Sequence, residues 1–517
     1  MTKLLDLADI QGNILQDFVS GFPSARFVLL RVPDAARGRA FVMEYRVKVT
    51  TALRWDDSKA YAEKIQATKP CVAINMGFTF DGFYALDLPT RTLARMPPEF
   101  IDGMKARADI LGDNMAKNLQ SGWDPVWQKR PHILIGLNAL IDPATGHPVP
   151  ELEAETEFLK QLCARHGMEI LDGHGKHGAP WQDACAILAE NKATYKPTPV
   201  EHFGFVDGIS NPVFEGQFGN DHVEAIMAIG NGKILSKQPG NTDDSGRWAP
   251  LATGEFLLGH PDEAQETADS TMPVEVMRNG TFLVYRKLHE NVASFETFVE
   301  SSAQGYAQTL GCPVEEAKSI LKAKMSGRWA DGVPLAVAPT IAEWKAFNEK
   351  YAGKGDDRPY VDFSYGDDPE GLKCPVTSHM RRTNTRDGLT GKSSALNNRR
   401  RILRRGIPYG KTSRDDTEEH GIIFLAMCSS LSRQFEFVQQ QWINYGLDAN
   451  AGNDTCPLAG NRAGDAKFVI PVDPASGEAP FIASDIPQFV EVRGGDYFFL
   501  PSMTALRMIG MGTIDPT

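Results

Sequence analysis

The sequence predicts an α+β fold, and three observations carry this. Short β-rich runs alternate with helical stretches along the chain. Their order is not βαβαβ, and no glycine-rich phosphate loop follows the first run, which disfavours a doubly wound dinucleotide fold. Mixed strands with helices packed on one side are what remains.

The elements follow from the pattern of side chains. Residues 25–32 (A-R-F-V-L-L-R-V), 72–80 and 132–137 read as strands. Residues 282–286, 421–428, 489–492 and 497–500 read the same way. Leu431, Phe435, Val438 and Trp442 are spaced 4, 3 and 4, which predicts one apolar helix face with Ser429 or Ser430 as its cap. Residues 142–150, 230–250 and 353–369 are rich in Gly, Asp and Pro and read as loops; the second suits an insertion or an inter-domain region. No tandem repeat of 20 to 50 residues stands out.

Composition bounds the function. A chain of 517 residues holds two large or about three ordinary domains. Its apolar fraction of 42% and charged fraction of 23% are those of a globular protein. Lys and Arg total 54 against 66 Asp and Glu, a net charge of -12, which argues against general nucleic-acid or anionic-membrane binding. The seven cysteines include no C-x-x-C pair, so neither a disulfide framework nor a thiolate zinc site is expected. They read as bystanders in a reducing compartment. The N-terminus lacks a secretory pattern and the longest clean apolar run is short, so the expectation is a cytoplasmic protein with no membrane span.

Three constellations carry chemistry. In G-F-V-D-G-I-S-N-P (204–212), Asp207 sits in a turn of Gly, Ser, Asn and Pro that can hold a carboxylate at a fixed angle. The bland reading is an Asx turn or a helix cap; the functional one is a proton-moving carboxylate. In C-P-V-T-S-H-M-R-R-T-N (374–384), His379 lies near a helix start. A lone histidine is commonly structural, yet a neutral imidazole can bind iron through Nε2 while Nδ1–H is held, leaving the opposite haem face open. In R-R-R-I-L-R-R-G-I-P-Y-G (399–410), five arginines fall in seven residues. Alone this suggests a nucleic-acid patch. In a strand, however, Ile402 and Arg404 share one face and Leu403 and Arg405 the other, so at least one arginine points inward. His202 reads as a pocket-wall or structural residue. His174 and His177 read as a surface loop without a third ligand. No C-x-x-C-H occurs, so a bound haem would be non-covalent.

Taken together, these motifs resemble the dye-decolourising peroxidase family of haem peroxidases. G-F-V-D-G matches the family's G-x-x-D-G, and C-P-x-x-x-H-x-R-x-T-N (374–384) and I-L-R-R-G-I-P-Y-G (402–410) match in family order. D-I-Q-G-N-I-L, G-E-F-L-L-G-H-P-D-E (254–263), N-G-T-F-L-V-Y-R-K-L (279–288), G-R-W (327–329), R-Q-F-E-F-V-Q-Q-Q-W (433–442) and V-R-G-G-D-Y-F-F-L-P-S (492–502) extend the likeness over most of the chain. V-T-S precedes His379 where relatives often have F-A-A, and Thr385 stands where Pro is common.

The resemblance implies two ferredoxin-like domains with antiparallel sheets, residues 1–215 and 216–517, with haem in the second near the interface. It implies haem b, non-covalent and one per chain. It makes Asp207 the distal carboxylate, Arg404 the distal arginine and His379 the proximal iron ligand. Arg382 and Arg386 join the cofactor-binding set, and Ile422 and Phe424 wall the distal pocket. The implied activity is reduction of hydrogen peroxide through an oxoferryl haem, with dyes, phenols or other small aromatic reductants as donors. Homo-oligomers are compatible with it. The alternative in the same pocket is a haem-handling protein, deferrochelatase-like or a carrier or sensor, with little peroxidase turnover.

Overall fold

A computed structural model of the chain describes residues 4–16, 18–55, 68–114, 119–176, 178–191, 194–235, 247–268, 273–389, 395–462 and 466–514. His177 lies outside them.

The N-terminal half is a β-α-β-β-α-β unit. Strand β1 is Ser24–Arg31, β2 is Val72–Phe78, β3 is Ile133–Ala139 and β4 is Glu169–Ile170; β5, Gln182–Cys185, adds beside β1. Helix α1 (Ala35–Tyr45) lies between β1 and β2, and α2 (Pro150–His166) between β3 and β4. The strand order is β2-β3-β1-β4, all antiparallel, which is the ferredoxin-like order. Asp34 caps α1 by accepting the Arg37 N–H, while α2 starts on Pro150 and stops at left-handed Gly167. Both faces of β1 and β3 are covered, which is why they read as near-continuous apolar runs.

The C-terminal half repeats the plan. Strand β6 is Thr281–Glu290, β7 is Leu403–Arg404, β8 is Ile407–Tyr409, β9 is Gly421–Cys428 and β10 is Val490–Leu500. The order is β7-β9-β6-β10, with β8 also on β9. The two halves join where Phe499 of β10 pairs with Phe78 of β2. At the other end β8 lies against β5, so the combined sheet curls toward closure. Phe27 of β1 and Tyr285 of β6 meet inside it, ring centroids 5.6 Å apart. One apolar core therefore draws on both halves. The two ferredoxin-like units that the resemblance implied are both present, although no sequence repeat links them.

Two elements differ from expectation. The runs at 489–492 and 497–500 form one strand, since the register shifts between Lys287 and Leu288 and accommodates Arg493 and Gly494 as a bulge. The apolar face of Leu431, Phe435, Val438 and Trp442 is buried as expected, but the backbone winds wider than an α-helix: Leu431–Glu436 and Val438–Ile443 are π-helical. A spacing of 4, 3 and 4 fits either winding over so short a run. Ser430 caps the segment by accepting the Arg433 N–H. Among the described residues, no helix is long and apolar enough to cross a membrane.

Candidate active site

The Asp207 turn is pinned on all sides. Val200 bridges Val206, Asp207 N–H donates to Pro199 O at 2.7 Å, and Val206 N–H donates to Ala330 O at 2.9 Å. Gly204 and Gly208 take φ of 90° and 80°, a region that side chains disfavour, so the G-x-x-D-G glycines are backbone requirements. Glu201 sits behind the turn and accepts the N–H groups of Phe203 and Phe205 at 2.7 and 2.8 Å. Asp207 Oδ1 accepts from Gly208 N–H at 2.7 Å and from Arg404 Nη1 at 2.5 Å, which leaves Oδ2 for other partners. Burial works to raise this carboxyl, but Arg404 and the Gly208 N–H outweigh it and hold it below the ordinary range. Nevertheless 49% of the side-chain surface is accessible.

The strand pairing sets the opposite wall. Arg404 pairs with Ala426 in β9, so its side chain lies on the same face as Phe424 and Ile422, two positions and four positions along. These two are half-buried, whereas Ile423 and Leu425 between them are buried in the sheet interior. Arg404 Nη2 donates to Ile209 O at 2.9 Å, and its N–H donates to Asn211 Oδ1 at 3.1 Å. Thus strand and loop are locked in register.

His379 begins the helix α3 (His379–Thr383) behind Ser378, whose hydroxyl donates to Lys324 O rather than capping the helix. The charges of Arg404 and Asp207 both act on His379, so the three groups share one electrostatic site. His379 Nδ1 lies 3.2 Å from Cys456 Sγ, which leaves Nε2 for a metal. Burial alone would raise the Cys456 thiol, but His379 and then Arg382 outweigh it and hold it down at about 6. The expectation that all cysteines are bystanders is therefore corrected. Nothing in D-T-C-P-L marks this residue, which lies 77 positions from the histidine.

The arginine run is turned inward. Arg399 pairs with Asp262 at 2.8 Å, and Arg400 donates to Arg433 O and stacks 3.8 Å over the Phe437 ring. Arg405 donates to Asn13 O and Ile14 O. Arg401 is 6% exposed and donates to Ser210 O; burial first, then Arg386 and Arg404, push it down to about 9. Arg386 is 3% exposed, donates to Val361 O and Phe363 O, and reaches Ser210 Oγ at 3.5 Å. Ser210 itself is held at φ 70°.

Arg382 is tied to backbone carbonyls. Its guanidinium donates to Trp442 O and Asp454 O and so braces the backbone behind His379. His202 is structural, bridging Thr412 Oγ1 and Tyr409 O. His174 is buried, with Nε2 on Leu171 O, so the surface-loop expectation fails there. Among the described residues, no group of three His, Cys, Asp or Glu side chains could hold a metal ion.

Residues 9–153 match the family description "DyP dimeric alpha+beta barrel domain", and residues 260–455 match "Dyp-type peroxidase, C-terminal". The chain belongs to the dye-decolourising peroxidase family. Among curated members, Peroxidase 2 of Mycetinis scorodonius is 26% identical over 97% of this chain and 87% of its own length. The multifunctional dye peroxidase DyP2 of an Amycolatopsis species is 26% identical over 97% and 96%. Among solved structures, a dye-decolourising peroxidase in complex with 2,6-dimethoxyphenol superposes with a TM-score of 0.72, 23% identity, and coverage of 98% of this chain and 100% of that one. A dye-decolourising peroxidase mutant from Pleurotus ostreatus superposes at 0.73, with 22% identity and 98% and 99% coverage. These likenesses establish the fold of this family member.

The donor set fits a haem. Arg328, Arg386 and Arg401 are buried and hydrogen-bond to carbonyls or Ser210 rather than to carboxylates, and Arg328 Nε has no partner. Buried cations so placed call for an anion, such as a pair of propionates. The apolar wall and the open Nε2 of His379 complete the requirements.

Proposed function

We propose that the chain is a haem-dependent peroxidase that reduces hydrogen peroxide and oxidises dyes, phenols or similar one-electron donors. The observation that carries this is the Asp207–Arg404 pair, two charged side chains held together at 2.5 Å with His379 within their field. Family membership and the phenol in the related structure support the substrate class. Seven free cysteines support a reducing, cytoplasmic setting.

His379 Nε2 would hold the iron, and Arg386 and Arg401 would take the propionates. When bound, haem b supplies an iron that accepts peroxide and stores oxidising equivalents. Asp207 does the proton work. Its Oδ1 is engaged by Gly208 and Arg404, so Oδ2 would be the atom that takes a proton from peroxide and returns it to the leaving oxygen. Arg404 keeps the carboxylate ionised and offsets negative charge as the O–O bond lengthens. Ile422 and Phe424 exclude water from that exchange. Because an aspartate rather than a histidine is the base, activity extends to acidic pH.

The test is reconstitution of His379→Ala beside the parent, read by absorbance and peroxide titration. The parent should show a full Soret band and oxidise a phenol rapidly while keeping its porphyrin; the variant should lose haem. A full Soret band in the variant would remove His379 as ligand. Release of iron-free porphyrin by the parent would favour the chelatase alternative.

A further inference from the structure

Beneath His379 lies a contact that the proton chemistry does not use. Cys456 is fully buried, and two nitrogens converge on its sulfur: His379 Nδ1 at 3.2 Å and the donating Ala459 N–H at 3.5 Å. The loop carrying it is tied down from two directions. Arg462 donates to Cys456 O and to Pro487 O, and Arg382 joins Asp454 O to Trp442 O. Cys456 N–H donates to Ile443 O at 2.7 Å. The sulfur is thereby fixed against the His379 ring by backbone on both sides.

We infer that Cys456 Sγ is the acceptor that orients His379 and sets how strongly its Nε2 donates to iron. This rests on His379 being the iron ligand. An iron on Nε2 leaves Nδ1 as the protonated nitrogen, so the sulfur, which also accepts from Ala459 N–H, receives from Nδ1 rather than giving to it. That places the proton on Nδ1 and the lone pair on Nε2, the tautomer a metal ligand requires. A carboxylate, carbonyl or water is the usual partner of a ligating histidine; a sulfur of larger radius is used here. Withdrawing Nδ1–H toward an acceptor makes the ring more electron-rich, stabilises the ferric over the ferrous state and stiffens the iron–histidine bond. Cys456 is a positioning residue, since it touches the ligand and not the reacting atoms.

The experiment uses the haem-loaded protein and the variants Cys456→Ala and Cys456→Ser. Two readouts are taken: the ferric/ferrous midpoint potential, and the iron–histidine stretching frequency of the ferrous protein by resonance Raman. Alanine should raise the potential and lower the frequency. Serine, whose shorter C–O bond draws the acceptor back from the ring, should fall between alanine and the parent. A purely structural role would change thermal stability and haem occupancy without that ranked shift. Unchanged potential and frequency in both haem-retaining variants would overturn the inference. Failure of the underlying reading is separate, because it appears as haem ligation that survives His379→Ala.

Discussion

Arg404 Nη1 stands 2.5 Å from Asp207 Oδ1, although 197 positions separate the two residues in the chain. The pair joins the last turn of the N-terminal half to an edge strand of the C-terminal half. Ile209 O and Asn211 Oδ1 hold the same arginine from the loop side, so neither partner can move alone.

Arg404→Leu should move the acid limb of the peroxide step upward. Burial raises Asp207 and Arg404 holds it down. Without the guanidinium the carboxyl protonates at higher pH, and a protonated carboxyl is no base. The step should also slow by about 10²- to 10³-fold at the optimum, the usual effect of removing a charge-stabilising donor. Stopped-flow rates across the acidic range check both; an unshifted limb would refute the hold on Asp207.

Asp207→Asn keeps an oxygen for the Gly208 N–H but cannot take a proton. Haem retention should be unchanged, and the peroxide step should slow by roughly 10²- to 10⁴-fold. A rate equal to the parent's would assign the proton transfer to water.

Arg401→Met should act with opposite signs on the two forms of the protein. Removing a buried cation that donates to a carbonyl should leave the haem-free protein as stable or more so, by about 1–4 kcal/mol as for other buried charges replaced by apolar side chains. Haem affinity should fall. Calorimetry of the haem-free variant and haem titration read the two effects, and equal affinity would remove Arg401 from the propionate site.

Glu201 and Glu290 predict a pH-dependent stability. Burial pushes Glu201 up to about 7, and burial with the charge of Glu201 pushes Glu290 well above the carboxylate range. A carboxyl raised in the folded state gives stability that is full below its unfolded value and lost as pH rises through the folded one. The thermal midpoint should therefore decline from about pH 5 to about pH 8. Glu290→Gln, which cannot ionise, should flatten that decline; parallel curves in parent and variant would contradict it.

Much of this was legible in the sequence because the chemistry needs rare local geometry. Asp207 is flanked by glycines with positive φ, and Arg404 alternates with Leu403 on a strand, so both leave a local mark. His379 is marked only by its motif. Cys456 leaves none, since its role depends on a turn brought against His379 from 77 residues away. The bracing by Arg382 was illegible for the same reason: its acceptors are backbone carbonyls, which carry no side-chain signature. The π-helical winding at 431–443 was invisible because apolar spacing cannot tell one helical pitch from another over three turns.

The meeting of β10 with β2 has a consequence for the order in which the molecule can be made. Helix α4 (Met503–Met511) follows β10 and lies on α1, where Gly510 permits a close approach to Met43. The first ferredoxin-like unit has all its own strands once β5 has been synthesised, and Gln11 and Thr50 already satisfy Ile74 and Met76 on the outer edge of β2, yet the Phe78 end of that strand and one side of α1 stay uncovered until residues 490–511 emerge. During translation those surfaces wait uncovered behind some three hundred residues of growing chain, a window in which apolar association with another copy competes with completion. Trimming the last strand and helix would consequently be felt first at the opposite end of the polypeptide.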